Sequence, residues 1–252
     1  MLKPNAAQAR TVRQAPETLM LLEDQIGNIE ALREAIGGCT LRCTGIVCDA
    51  PKGRPPRGLL LEGSDLDSQG TIVVGLNPGH ASTSEVATLR GQPKPHEAWG
   101  AYWENHLRLA NQYYIGVGEL LRQCGRVGPI LWTNLAKCES PPNVRGGVPL
   151  QTLSTCMERY FQYEVWTVPR SWPFLALGRE VRTAVTFRFP ERIIAGVPHP
   201  SGSKPNFRRL FDPDGVLRAS VRNTLTTVFA SEQPTTSWVA SPGDSGTIAD
   251  AV

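Results

Sequence analysis

The chain has 252 residues, 40% of them hydrophobic and 19% charged, enough for one core of ordinary domain size. Its formal net charge of +3 suits a polyanionic partner without demanding one. No apolar run approaches the roughly 18 residues that cross a bilayer. The first twenty residues hold Lys3, Arg10 and Arg13 but no apolar stretch of signal-peptide type, so no membrane partner and a cytoplasmic location are expected.

Residues 1–16 are polar and are expected to form a flexible N-terminus. Residues 17–37 carry apolar side chains at helical spacing, and Gly37–Gly38 supplies a stop. Cys39, Cys43 and Cys48 follow. The connection DAPKGRPPRG then leads to the apolar run Leu59–Leu61. Its basic group Lys52, Arg54 and Arg57 reads equally as a phosphate-facing set or as a solvated loop. The wholly apolar strand Thr71–Val74 opens at once into the turn GLNPGH. Residues 98–123 read as helix, with Trp99, Trp103, Leu107 and Leu121 on its apolar stripe. A second strand, Pro129–Trp132, runs into TNLAKCESPPN, and residues 150–166 are helical. A third strand, Phe174–Leu177, meets a turn at Gly178 and another helix. A fourth, Arg192–Ala195, ends in GVPHPSGS. Residues 215–230 form a closing helix, and the Ser/Thr/Pro/Gly-rich stretch 231–252 is expected to be a disordered tail.

Short apolar strands alternating with helices imply a parallel sheet buried on both faces. The expected fold is α/β: a three-layer αβα sandwich with a central, mostly parallel four-stranded sheet, in one domain spanning residues 17–230 and acting as a monomer. Ligands of such folds bind beyond the carboxyl ends of the strands. The polar motifs GLNPGH, TNLAKC and HPSGS each follow such an end, so they are expected to converge on one crevice.

Of the six cysteines, Cys39, Cys43 and Cys48 fall within ten residues. In a reducing compartment structural disulfides are not expected, and clustering of this kind points to metal or iron–sulfur ligation. Cys124 stands apart and reads as a small buried thiol.

In order along the chain, GLNPGH at 75–80, Thr133–Asn134 and HPSGS at 199–203 resemble the three active-site motifs of the uracil-DNA glycosylase superfamily. The Asn-Pro-Gly form of the first is similar to the mismatch-specific branch. TNLAKCESPPN, with seventeen residues separating Cys138 from Cys156, resembles the iron–sulfur branch, as does FLALGREV. The likeness spans roughly residues 35–225. It departs from the iron–sulfur branch in two ways. Leu76 stands where an acidic residue is usual in the first motif, and Cys39-x3-Cys43 and Cys43-x4-Cys48 replace Cys-x-x-Cys. The resemblance implies DNA as partner and a [4Fe–4S] cluster on Cys138, Cys156 and two of Cys39, Cys43 and Cys48, with tetrahedral zinc as the alternative. It also implies excision of uracil or a modified pyrimidine from a flipped-out nucleotide.

The residue types suit that chemistry. Breaking an N-glycosidic bond leaves positive charge on the sugar and negative charge on the base. Asn77 cannot take a proton near neutrality but can orient a water. His199 can donate to the developing oxyanion, and Asn134 offers the donor and acceptor that suit a uracil edge. Gly75, Leu76 and Pro78 shape the first turn, while His80 reads as a phosphate or base contact or as an exposed turn residue. Trp99, Tyr102, Trp103, Tyr113 and Tyr114 are candidates to stack on a flipped base. Ser201, Lys204, Phe207, Arg208 and Arg209 compose a loop suited to contact DNA, with Phe207 as wedge and the arginines on phosphates. Three other readings remain: a glycosylase for a bulkier modified base in phage defence, a non-catalytic nucleic-acid binder, and an iron–sulfur redox protein. The last leaves HPSGS without a purpose.

Overall fold

A computed structural model of the chain describes residues 28–141, 147–200 and 206–239. The proposed flexible N-terminus and the first part of the 17–37 helix therefore lie outside the described residues. In the remaining part, α1 (Ile29–Gly37) is capped by the Asn28 side chain, which accepts from Ala31 N.

The fold is α/β. Among the described residues its sheet is mixed and has six strands, not four: β1 (Leu60–Glu62), β2 (Thr71–Gly75), β3 (Ile130–Asn134), β4 (Phe174–Leu177), β5 (Ile193–Val197) and β6 (Thr235–Trp238), in the order β1-β3-β2-β4-β5-β6. The four expected strands form the parallel centre. The two additions sit at the edges, where fewer apolar side chains are needed and sequence contrast is weakest. β1 is antiparallel to β3, and β6 is parallel to β5. β6 also corrects the boundary of the expected disordered tail. TTSW carries no apolar run, yet it pairs along Ile193–Gly196, so the ordered chain continues past residue 230.

Alternation along β2 divides the core. Ile72 and Val74 belong to one apolar cluster, with residues of α1, α5 (Leu150–Cys156), α6 (Gln162–Trp166) and α7 (Arg179–Arg188). Val73 belongs to the other, with residues of α3 (Pro95–Tyr102), α4 (Gln112–Gln123) and α8 (Ala219–Phe229). The stretch read as one helix over 98–123 is broken at Asn111, whose side chain caps α4 by accepting from Tyr113 N. A short α2 (Thr83–Leu89), capped by Ser82, precedes α3. Among the described residues no helix is long and apolar enough to cross a membrane.

The segment leaving β3 is held from below by charges. Lys137 and Glu164 are 1% and 0% exposed and form an ion pair. Lys137 Nζ also donates to Thr133 Oγ1 and to the Asn134 carbonyl. A buried ion pair adds little over apolar packing, but losing one partner strands a charge, at a cost of about 3–5 kcal/mol. Lys137→Met is expected to destabilise the protein by about that much in urea denaturation, and Lys137→Met/Glu164→Leu to recover most of it.

Candidate active site

Three strand ends meet at one cavity of about 710 Å³. The turn after β2 lines it with Leu76, Asn77, Pro78, Gly79 and His80. β3 and the segment beyond add Thr133, Asn134, Ser140 and Pro141, and the end of β5 adds His199. The crevice expected from the three motifs is therefore present, with Asn77, Asn134 and His199 on one wall system.

Local pairing explains the placement. Gly75 lies opposite Asn134 in the parallel β2–β3 ladder. Beyond it, Leu135 N and Ala136 N donate to the carbonyls of Gly75 and Leu76 at 2.9 Å, so the two exits run side by side. A Cβ on Gly75 would collide with Asn134 Oδ1 and approach the Tyr113 hydroxyl to 3.2 Å. The glycine is thus the space that the Asn134 side chain occupies.

Asn77 is held across this junction. Its Nδ2 donates to Ser140 Oγ at 3.0 Å and the Pro78 carbonyl at 3.2 Å, and reaches the Cys138 carbonyl at 3.5 Å. With the amide nitrogen engaged, Oδ1 remains as the acceptor for a ligand or water. His199 lies 5.7 Å, ring to ring, from Tyr113. Burial lowers the His199 pKa from its ordinary value, which favours the neutral imidazole. Burial likewise raises the Tyr113 and Tyr114 phenols, so both stay protonated near neutrality.

The sequence reading missed the charged frame of this cavity. Glu139, 3% exposed, forms ion pairs with Arg54 and, at 3.1 Å, with Arg57. It accepts from Ala81 N at 2.7 Å and lies 3.5 Å from His80 Nδ1. Arg57 also donates to the Gly79 carbonyl at 2.8 Å, stacks 5.1 Å over Trp99 and sits 2.7 Å from Glu85. Burial raises the Glu85 carboxyl pKa, with Arg57 opposing. Of the basic group, Lys52 is exposed and pairs with Asp49, whereas Arg57 is 6% exposed and turned to these carboxylates. Neither sequence reading of that group, phosphate-facing or solvated, describes Arg57. The only available hint was the acidic Glu139 beside Cys138.

Phe207 is a correction. It is 5% exposed and packs in the core 5.8 Å from Phe211, near Gly116, so it is not a wedge at a loop tip. Its apolar ring gains more from burial under α4 than from water, a preference that a Gly/Ser-rich neighbourhood in the sequence conceals. Arg208 and Arg209 are exposed beside it. Ser201 and Lys204 lie outside the described residues. Of the stacking candidates, Trp99, Tyr113 and Tyr114 line the cavity, while Tyr102 and Trp103 are core.

The cysteine arm is laid against the same segment from behind. Val47 N donates to the Glu139 carbonyl at 2.7 Å, and Thr152 Oγ1 to the Thr44 carbonyl at 2.8 Å. Cys138 is raised by its hydrogen bond to Cys48, then by burial and by Cys48, Cys156 and Cys39. Cys43 is raised by burial and then by Cys156, Cys39 and Cys48. Each of these five thiols therefore lies within electrostatic reach of at least two others. Among the described residues no three His, Cys, Asp or Glu side chains stand in ready-made metal-ligand geometry. Cys124 lies elsewhere, a buried thiol pushed up to about 11.

No protein-family model and no curated protein matches the chain, so its functional reading rests on this geometry.

The lowered His199 pKa has a pH signature. The unfolded chain binds the proton near its ordinary value of about 6.5, while the folded imidazole resists it. The contribution is therefore fully present above about 6.5 and is lost as pH falls below it. Imidazole NMR is expected to give His199 a midpoint below 6.5, and His199→Gln to flatten the stability loss below pH 6.5.

Proposed function

We propose that this chain is a DNA glycosylase that hydrolyses the N-glycosidic bond of a flipped-out uracil or modified pyrimidine, on a three-layer αβα frame. The observation that carries this reading is the convergence of Asn77, Asn134 and His199, from three separate strand ends, on a single cavity. The resemblance of their motifs to the uracil-DNA glycosylase superfamily supports it.

In this reading the chemistry divides between the two ends of the breaking bond. Asn77, its amide nitrogen tied to Ser140 and Pro78, orients the attacking water through Oδ1. His199, buried and favouring the neutral form, donates to the base oxygen as negative charge develops there. Such a donor is preorganised, because its position is set by the fold before the substrate arrives. Asn134, on the β3 end opposite Gly75, reads the polar edge of the base. Trp99, Tyr113 or Tyr114 stacks on the ring, and the exposed Arg208 and Arg209 meet phosphates.

The thiol chemistry of the donor set suits a [4Fe–4S] cluster, although among the described residues no three of these thiols are gathered into ligand geometry. Cys138 and Cys156, joined by two of Cys39, Cys43 and Cys48, supply four soft thiolates from three chain segments that Val47, Glu139, Thr152 and Thr44 already hold together. When bound, the cluster supplies a rigid cross-link and no redox step, since base excision transfers no electrons. Zinc at the same thiolates is the alternative. Anaerobic purification with iron and sulfide analysis is expected to find about four irons per chain. A folded, colourless protein without iron or zinc overturns the ligation.

Base release from uracil-containing, mismatched and phage DNAs, followed by mass spectrometry, tests the activity. Asn77→Ala and His199→Ala are each expected to lose about 10²–10³ in rate while retaining fold and most DNA affinity. Asn134→Ala is expected to change which base is released as well as how fast. Wild-type rates in both alanine variants would show that the chemistry lies elsewhere.

A further inference from the structure

Asn134 and His199, the two residues assigned to the base, share a third polar neighbour. Tyr113 enters the cavity from the first turn of α4, where the Asn111 cap accepts from Tyr113 N at 2.9 Å. Its ring lies 5.7 Å from that of His199, centre to centre. Its hydroxyl stands against Gly75. The phenol oxygen would lie 3.2 Å from a Cβ placed on that glycine, and Asn134 Oδ1 would collide with the same Cβ. The phenol oxygen and the carboxamide oxygen are therefore side by side over one residue, with the imidazole next to the tyrosine ring.

The hydroxyl has a proton to spare. Among the described residues it makes no hydrogen bond, and none joins it to Asn134 Oδ1. The sealed, unpaired polar atoms include the Trp99 and Trp103 indole nitrogens but not this oxygen, which belongs to a half-buried residue of the cavity lining. Burial, and Tyr114 after it, raises the phenol above its ordinary value, so the proton is present throughout the neutral range.

A uracil-like base carries an N–H flanked by two carbonyl oxygens. Asn134 Oδ1 can only accept, so it suits the N–H. A carbonyl beside that N–H then needs a neighbouring donor, and the Tyr113 hydroxyl is at hand. When the glycosidic bond breaks, its electron pair goes to the base and spreads onto these oxygens. The phenol keeps its proton throughout, and only the hydrogen bond strengthens.

We propose that Tyr113 is a further catalytic residue of this cavity, donating a hydrogen bond from its hydroxyl to a carbonyl oxygen of the departing base. The proposal rests on the glycosylase reading and deepens it, giving the leaving base a second donor besides His199. The face of the base is left to Trp99 or Tyr114.

Tyr113→Phe removes the oxygen and keeps the ring. In oligonucleotides the variant is expected to release uracil about 10²–10³ more slowly than wild type, the cost of one preorganised donor. 5-Fluorouracil bears negative charge more easily and needs the donor less. The fluorouracil-to-uracil ratio of single-turnover rates is therefore expected to rise several-fold in the variant. A tyrosine that only packs would slow both bases alike, so an unchanged ratio overturns the proposal and leaves the glycosylase reading standing. Free uracil is the second probe. It is expected to bind wild type about 2–10-fold tighter than Tyr113→Phe, as for one neutral hydrogen bond, and to shift the NMR signal of the Tyr113 carbon that bears the hydroxyl. Bound uracil that leaves this carbon unmoved overturns the proposal, as does a wild type that binds no uracil, and neither result needs the variant to fold. Release of no base from any oligonucleotide instead overturns the glycosylase reading, and free uracil then still judges the Tyr113 contact.

Discussion

One buried carboxylate holds the site together. Glu139 follows Cys138 in the segment that leaves β3, and its side chain is 2% exposed. It takes Arg54 and Arg57 from the connection ahead of β1 and the Ala81 amide from the turn beyond β2. Its carbonyl takes Val47 from the cysteine arm. The connection ahead of β1 and the turn beyond β2 are thereby referred to one carboxylate, and the cysteine arm to the backbone of the same residue. An isolated buried carboxylate is strongly disfavoured, so each of these donors is required by the others. The turn bearing Asn77 and His80 cannot move without breaking a charge-assisted bond.

The same segment is gripped from its other side by Lys137 and Glu164. Buried ion pairs of this kind add little net stability over well-packed apolar residues, and their service is to make one arrangement much better than its neighbours. Here the arrangement concerns residues 133–140, which carry Asn134 toward the cavity and Cys138 toward the other thiols. Two opposed ion networks on eight residues fix a polar loop that apolar packing alone would leave free to shift.

Part of the cavity lining stays neutral near physiological pH. Tyr113, Tyr114 and His199 are each pushed by burial toward the uncharged form. Away from bulk water a single well-placed donor acts on a developing charge far more strongly than it would in solvent. The charges of the site, Arg57, Glu85 and Glu139, stand together and largely cancel among themselves. A cavity lined by both neutral and ionic groups is suited to a ligand with two chemically distinct parts.

The four central strands and the polar motifs at their carboxyl ends were legible in the sequence, because an apolar run of four or five residues and the turn that ends it are local facts. The motif residues Asn77, Asn134 and His199 were legible for the same reason: a strand end places its next residues in the crevice whatever the rest of the chain does. Phe207, Arg57, Glu85 and β6 were not. Phe207 looked like a loop tip because its sequence neighbours are small and polar, yet a core beneath α4 receives it. Arg57 read equally as a phosphate contact or as solvated charge, and only Glu139, 82 residues away, shows it to be neither. TTSW has strand-favouring Thr and Trp but no apolar run to mark it, and it becomes a strand because β5 offers a free edge. Burial and ion pairing depend on which distant group arrives alongside, and only the tertiary structure decides that.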